Sequence, residues 1–322
     1  MTHILVAGKL HSVGVEKLNL LRASGLKVTY IEEIDEPSYA KHIKTADALI
    51  IRTQPLSAAT IKKAENLKVV SRHGVGYDAV DLDSLNARGI PLTIVSDVNS
   101  VSVAEQAMMQ LLAGAKQVIR ADKAVRDPTK WDWRNQLQQR EISEKNLLII
   151  GYGRAGKKLA KMAAGFNMNI KVFDPYLQSL NSTPEPIKFI ETLSEGLGWA
   201  DCISLHIPPG TTPLLGATEF AQMKPGMIIA NTARGGVMCE RSLSSALKTG
   251  QLHAAGVDVF ETEPPDINMA QSYPDNAILS PHIAGLTEEA SERMAISCIE
   301  NALGVLDRTI DPDLIVNKEV LI

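Results

Sequence analysis

The chain is poor in cysteine and in aromatic residues, and it holds no long apolar run. Three cysteines stand among 322 residues, at positions 202, 239 and 298. An odd, widely spaced set has neither a disulfide framework nor paired metal-ligand spacing, so the thiols read as reduced and mostly structural and no metal site is expected. Aromatic side chains make up 4% of the chain, few for stacking single-stranded bases, and the formal net charge of −4 offers no basic field for a phosphate backbone. Nucleic acid is therefore not an expected partner. No run approaches the roughly 18 apolar residues of a membrane span, and the apolar stretch in MTHILVAGKL is shorter than a signal-peptide core. These absences lead to the expectation of a cytoplasmic protein with a small-molecule ligand and no membrane partner.

What is present is ordinary globular composition, 45% apolar and 22% charged, at a length that suits two domains of roughly 150 residues each. Short β-branched runs alternate with longer amphipathic stretches: HILVAG, LKVTYIE, ADALIIR and LKVVSRHG, then NLLIIG, NIKVFDP, WADCISLHIP, GMIIANTA, HAAGVDVF and NAILSPH. That rhythm predicts an α/β fold of two doubly wound parallel-sheet domains. Between them, 102–119 reads as one helix, apolar around so much of its circumference that more than one surface must cover it. A polar, tryptophan-bearing stretch follows. The last helical pattern, 287–307, is placed to carry the chain back to the first domain. The expected division is a discontinuous domain of 1–99 and 287–322, with 100–286 inserted.

Gly151, Gly153 and Gly156 directly follow the strand LLII and open a helix near Arg154. In this setting GxGxxG is the Rossmann fingerprint: one glycine for the tight turn, one for pyrophosphate approach, one for helix–strand packing, with the helix N-terminus facing the phosphates. Asp174 ends the next strand, 18 residues after Gly156, close to the ~20 expected of the acid that binds the adenosine ribose. A carboxylate there repels a 2′-phosphate, so NAD is the expected cofactor.

Ligands of open parallel sheets bind beyond the carboxyl ends of the strands. That edge of the second domain collects His206, Arg234, Asp258, Glu263 and His282. These residue types suit hydride transfer between a nicotinamide and the α-carbon of a 2-hydroxy acid. Arg234 supplies a planar, permanently charged fork for the 2-oxo acid. His282 is the general acid/base, and Glu263 is the carboxylate that would orient its ring and stabilise imidazolium. Against these stand simpler readings: Arg234 as a strand-end cap, Glu263 as a loop acid. His206 is read as an ordinary strand-end residue.

NTARGG (231–236), DVFETEP (258–264) and SPHIAG (280–285), with GYGRAG and Asp174, resemble the D-isomer-specific 2-hydroxyacid dehydrogenase family; HGVGYDAVD (73–81) and NSVSVAE (99–105) extend the likeness over nearly the whole chain. The resemblance implies catalytic roles for Arg234, Glu263 and His282, and D rather than L stereochemistry. It implies a flavodoxin-like substrate domain beside the Rossmann domain. Cofactor contacts then fall to Gly151, Gly153, Arg154, Ala155, Gly156, Asp174, Thr232, Ala233, Asp258, His282 and Gly285, and substrate contacts to Arg52, Val75, Gly76, Asn99 and Arg234. Val75 and Gly76 would present backbone N–H groups to the substrate carboxylate, although Gly74 and Gly76 also fit a plain turn. A homodimer through 102–119, in places a dimer of dimers, is likewise implied.

Within the family the chain is most similar to short D-3-phosphoglycerate dehydrogenases, with glyoxylate or hydroxypyruvate reductases as the alternative. Arg52 and Arg72 suit a second anionic group on the substrate, a phosphate or sulfonate, and Arg134, in the arm, is placed to reach a neighbouring subunit's site; for Arg72 and Arg134 the alternative is pairing with surface acids. Since the sequence stops at Ile322, no C-terminal regulatory domain is expected. A non-catalytic NAD-sensing adaptor of the corepressor type keeps the same triad, but the chain has no long disordered tails for recruiting partners.

Overall fold

A computed structural model describes residues 1–180 and 187–321. The chain divides into two compact units, Met1–Asn99 with Leu286–Ile322, and Ser100–Gly285.

In the first unit, strands β1 (His3–Ala7), β2 (Lys27–Ile31), β3 (Ala48–Ile51), β4 (Val69–Arg72) and β5 (Leu92–Ile94) form a parallel sheet in the order β2-β1-β3-β4-β5, the flavodoxin-like order. Successive side chains of a strand point to opposite faces, so strands covered on both sides must be apolar throughout. Leu5 and Ala7 join Leu49, Ile51 and Val70 on one face, while Ile4 and Val6 join Ala48, Ile50 and Val69 on the other. Helix Glu288–Leu306 closes the second face with Ala290, Met294, Ala295, Cys298, Ile299 and Ala302. Thr287 starts that helix, its Oγ1 accepting from the Ala290 N–H at 3.2 Å.

The second unit carries β6 (Asn146–Ile150), β7 (Asn169–Phe173), β8 (Lys188–Phe189), β9 (Cys202–Leu205), β10 (Met227–Asn231), β11 (Leu252–Val257) and β12 (Ala277–Leu279), all parallel, in the order β12-β11-β10-β9-β6-β7-β8. Leu148 and Ile150 face one core, Leu147 and Ile149 the other. The order reverses at β6, which has β7 on one side and β9 on the other. That switch point opens the crevice in which Rossmann sheets hold a dinucleotide.

The expected single helix over 102–119 is two helices, Ser100–Ala115 and Val118–Arg126. Gln117 breaks them at φ +52, its Nε2 donating to the Gly114 carbonyl at 3.0 Å and to the His253 carbonyl at 3.2 Å. Val118 and Ile119 continue the apolar pattern across the break, so periodicity runs through a stop made by a side-chain hydrogen bond. Helix Ser100–Ala115 packs on β10–β12 and on helix Arg154–Ala164, with Val101 and Met109 left exposed. Among the described residues, no helix is long and apolar enough to cross a membrane. Burial pushes the thiols of Cys202 and Cys298 up to about 12, which leaves both inert.

His73, just past β4, is 5% exposed, and neither ring nitrogen has a hydrogen-bond partner. Burial first, then the charges of Arg52 and Arg72, lowers its pKa to about 4. The unfolded chain therefore binds a proton near pH 6.5 that the folded chain refuses, and stability is complete above that pH and is lost as the pH falls toward 4. Between about pH 7 and about pH 4.5 the wild type should lose roughly 2–3 kcal/mol more than a His73→Leu variant in urea unfolding. Equal losses would show that the folded protein accommodates the charged ring.

Candidate active site

The glycine loop divides its three tasks visibly. Gly151 turns out of β6 at φ +91, and a Cβ there would lie 2.5 Å from the His206 carbonyl oxygen, just past β9. A Cβ on Gly156 would lie 2.3 Å from the Gly151 carbonyl oxygen, so only glycine lets helix Arg154–Ala164 rest on the turn. Gly153 is different. It is exposed, and nothing lies within 4 Å of where its Cβ would be. It also forms the helix N-cap with no side-chain bond, so the first-turn N–H groups, including those of Arg154 and Ala155, carry no side-chain cap. An uncapped helix start beside empty space suits an anionic pyrophosphate.

Asp174 follows β7 and is tied to this loop, Oδ2 accepting from Tyr152 N at 2.8 Å and Oδ1 from Leu177 N at 3.1 Å. Each carboxylate oxygen accepts more than one hydrogen bond, which leaves capacity for ribose hydroxyls. Beyond β10, Thr232 is buried with its Oγ1 lacking a partner, a polar atom that a ligand would satisfy. Ala233 beside it is also buried. His206 is bonded through Nε2 to Ser204 Oγ at 2.9 Å, and burial lowers its pKa to about 4, which keeps it neutral at the crevice.

Arg234, Glu263 and His282 follow β10, β11 and β12, three neighbouring parallel strands whose carboxyl ends share one edge. Asn231 fixes the first turn: its Oδ1 accepts from Ala233 N at 3.0 Å and its Nδ2 donates to the Arg234 carbonyl at 3.0 Å. Arg234 Nη1 donates to the Ala233 carbonyl at 2.7 Å. A Cβ on Gly235 would fall 1.8 Å from the Phe260 carbonyl oxygen, so this turn presses directly on the one carrying Glu263. Glu263 Oε1 accepts from Phe260 N at 3.1 Å, and Oε2 lies 2.7 Å from His282 Nδ1. With Nδ1 donating to that carboxylate, Nε2 is the atom left to hold or give a proton. The pair is half-exposed, His282 at 51% and Glu263 at 38%, so substrate and cofactor can reach it.

Asp258, expected at the cofactor, is fully buried, and its carboxylate accepts from Ile283 N at 3.0 Å, Ala284 N at 2.8 Å and Ser280 Oγ at 2.5 Å. The structure commits this carboxylate to the histidine loop. Gly285 ends the same loop and the unit.

In the first unit, Arg52 follows β3 and Arg72 ends β4, with Ile51 and Arg72 in register. Arg52 Nη1 donates to the Lys9 carbonyl at 3.0 Å, and Arg72 Nη1 to the His73 carbonyl at 2.7 Å. Val75 and Gly76 lie on the loop that follows, Val75 exposed at 37%. Asn99 closes the unit's first segment, its Nδ2 4.0 Å from Met294 Sδ.

Sequence reasoning passed over Asn231, Gln106, Ser280 and Glu240. Glu240 Oε1 accepts from Glu261 N at 2.6 Å while Glu261 Oε1 accepts from Glu240 N at 3.2 Å, a reciprocal clamp on the Glu263 turn. Burial raises the Glu240 carboxyl above the usual carboxylate range. Of these four, Asn231 alone had a local signal, as an Asn opening a turn.

Comparison with known proteins agrees with this geometry. The family described as D-isomer specific 2-hydroxyacid dehydrogenase, NAD binding domain, matches residues 108–284. A D-3-phosphoglycerate dehydrogenase of Methanocaldococcus jannaschii is 35% identical over 309 residues, covering 95% of this chain and 58% of the relative, so the chain spans little more than half of that protein. A hydroxypyruvate reductase of Thermotoga maritima is 34% identical over 286 residues, covering 87% of this chain and 91% of the relative. A solved structure from Thermus thermophilus superposes with a TM-score of 0.87 at 31% identity, covering 98% of this chain and 100% of that one. The second unit is an NAD-binding domain, and the chain belongs to the D-isomer-specific 2-hydroxyacid dehydrogenase family.

Proposed function

We propose that this chain transfers hydride between NAD and the C2 atom of a D-2-hydroxy acid or its 2-oxo acid, and that its substrate carries a second anionic group, as D-3-phosphoglycerate does. The observation that carries the reading is the His282–Glu263 pair: Nδ1 is held at 2.7 Å by a carboxylate that is itself fixed by Phe260 N, which frees Nε2 for substrate. The residues present fit the dinucleotide. Gly153 leaves the space, the start of helix Arg154–Ala164 supplies uncapped N–H groups, Asp174 supplies the ribose acceptor and Thr232 an unsatisfied hydroxyl.

When bound, the nicotinamide gives or takes the hydride. In the direction of reduction, His282 donates its Nε2 proton to the substrate carbonyl oxygen as that oxygen gains charge, and Glu263 offsets the charge of the imidazolium beforehand. Arg234 binds the carboxylate and polarises the carbonyl with its planar fork. In this reading the Val75 and Gly76 amides serve a substrate carboxylate, and Arg52 and Asn99 are further substrate contacts. Arg52 and Arg72, at adjacent strand ends, suit a phosphate or sulfonate.

We also propose a homodimer. Met109, Val118, Val125, Trp131 and Leu137 leave apolar surface in water along one continuous segment, with Leu137 86% exposed. Sedimentation at micromolar concentration should show a dimer, and Val125→Asp with Leu137→Asp should shift it to monomer; a monomeric wild type would remove this part of the reading.

Two glycine variants separate space from fold. Gly153→Ala should keep the wild-type melting temperature yet lower NADH affinity at least tenfold, because its methyl enters only the cofactor's space. Gly151→Ala should lower stability itself by about 1 kcal/mol or more, since it strains φ and meets a carbonyl. Wild-type NADH affinity in Gly153→Ala would refute the proposed pyrophosphate position.

NADH oxidation against hydroxypyruvate, its 3-phosphate, glyoxylate, pyruvate and sulfopyruvate tests the chemistry. Preference for the phosphorylated or sulfonated acids is expected, with Arg52→Ala raising KM for these alone. Preference for glyoxylate or hydroxypyruvate would make the chain a reductase of small acids, and NADH binding without turnover would make it an adaptor. His282→Ala should lower kcat by about 10²–10⁴-fold. Glu263→Gln should lower it by about 10–100-fold, the worth of one hydrogen bond to a charged group.

A further inference from the structure

His282 has a left-handed backbone, φ +51, which few residues other than glycine adopt without outside restraint. The ring bond to Glu263 does not supply that restraint, because it acts at the far end of the side chain. Backbone restraint comes from Asp258. The Asp258 carbonyl accepts from His282 N at 2.7 Å, while its carboxylate accepts from the next two amides, Ile283 N and Ala284 N. Three consecutive N–H groups thus converge on one buried residue.

The same carboxylate accepts from Ser280 Oγ, and Ser280 Oγ in turn lies 3.1 Å from Gln106 Nε2. The direction of this chain is forced. A carboxylate only accepts, so the serine hydroxyl spends its proton on Asp258 and must receive from Gln106, whose amide is the donor. Gln106 belongs to helix Ser100–Ala115, which packs on β10–β12. A helix packed on the sheet therefore reaches the histidine loop by a route that does not pass through Glu263.

We propose that Gln106 and Ser280 are positioning residues for His282, acting through Asp258: the relay holds the strained backbone of the loop while Glu263 holds the ring. This inference rests on His282 as the acid/base. Neither Gln106 nor Ser280 is assigned to substrate or cofactor, so their loss should spare NADH affinity and reduce turnover.

The test compares Gln106→Leu, Gln106→Glu, Ser280→Ala and the double variant Gln106→Leu/Ser280→Ala in the full chain, with melting temperature confirming the fold. Gln106→Glu keeps size and reach but has no donor, so it should behave like the leucine variant or worse. The Gln106 variants should lower kcat about 3- to 10-fold and Ser280→Ala about 10-fold or more, with NADH Kd within twofold of wild type. The double variant should be no worse than Ser280→Ala alone, because Gln106 acts only through that hydroxyl. Amide exchange of Ile283 and Ala284, measured without substrate, should quicken in every variant.

Unchanged exchange at those two amides, additive losses in the double variant, or a Gln106→Glu protein with wild-type kcat would each overturn the relay. A wild-type chain that reduces no 2-oxo acid would defeat the acid/base reading instead, and the exchange measurement would then decide the relay by itself.

Discussion

Both units depend on one constraint, that a parallel strand covered on two faces sends its chain out at the same edge as its neighbours. Burial of both side-chain rows makes the strand interiors apolar in β1, β6 and β10, whose polar residues His3, Asn146 and Asn231 stand at a strand end. The fully buried polar residues inside strands are small hydroxyls such as Ser71, Thr93 and Ser204, and the charged groups of the candidate site stand in the turns after the strands. Since all the strands run in one direction, those turns collect at a single rim. Arg234, Glu263 and His282 lie 29 and 19 residues apart in sequence, yet follow three adjacent strands. Chemistry at the rim is thus a consequence of how the core is covered.

The buried polar groups mark where that rule is relaxed. Asp258 is completely enclosed, a costly place for a carboxylate unless every lone pair is used, and it accepts from two backbone amides and a serine hydroxyl. Asn231, 2% exposed, spends both ends of its amide on the turn that holds Arg234. Buried Glu240, at the start of helix Glu240–Lys248, takes the Glu261 N–H on its carboxylate while Glu261 takes the Glu240 N–H. Each turns the free energy of an unsatisfied buried group into a restraint, because a shift of the loop would leave that group without a partner. Thr232 Oγ1, buried past β10 without a partner, is such a group left open.

The histidines show how location decides use. His73 and His206 are driven toward the neutral form by burial, with neighbouring arginines adding to the effect at His73, and both remain uncharged at neutral pH. His282 stands half in water with a carboxylate on Nδ1. The same side chain is a packing element in two places and, in the function proposed, the proton carrier in the third, and the difference lies in solvent access and in one acceptor.

Much of this was legible in the residue order. Alternating β-branched runs and amphipathic stretches determined the α/β class, because each face of a sheet imposes its own periodicity. The spacing of Gly151, Gly153 and Gly156 determined the form of the loop after β6, since that order gives a turn, an open helix start and a close packing contact in succession. Other features have no local signature. The break at Gln117 is made by hydrogen bonds to Gly114 and His253, and apolar periodicity passes straight through it. Gln106, Ser280 and Asp258 lie on separate elements and meet only when helix Ser100–Ala115 is laid on the sheet. Residue order settled which chemical groups the chain carries and at which strand ends they emerge; tertiary packing alone decided which of them touch, because hydrogen bonds between distant elements depend on distances that no spacing along the chain encodes.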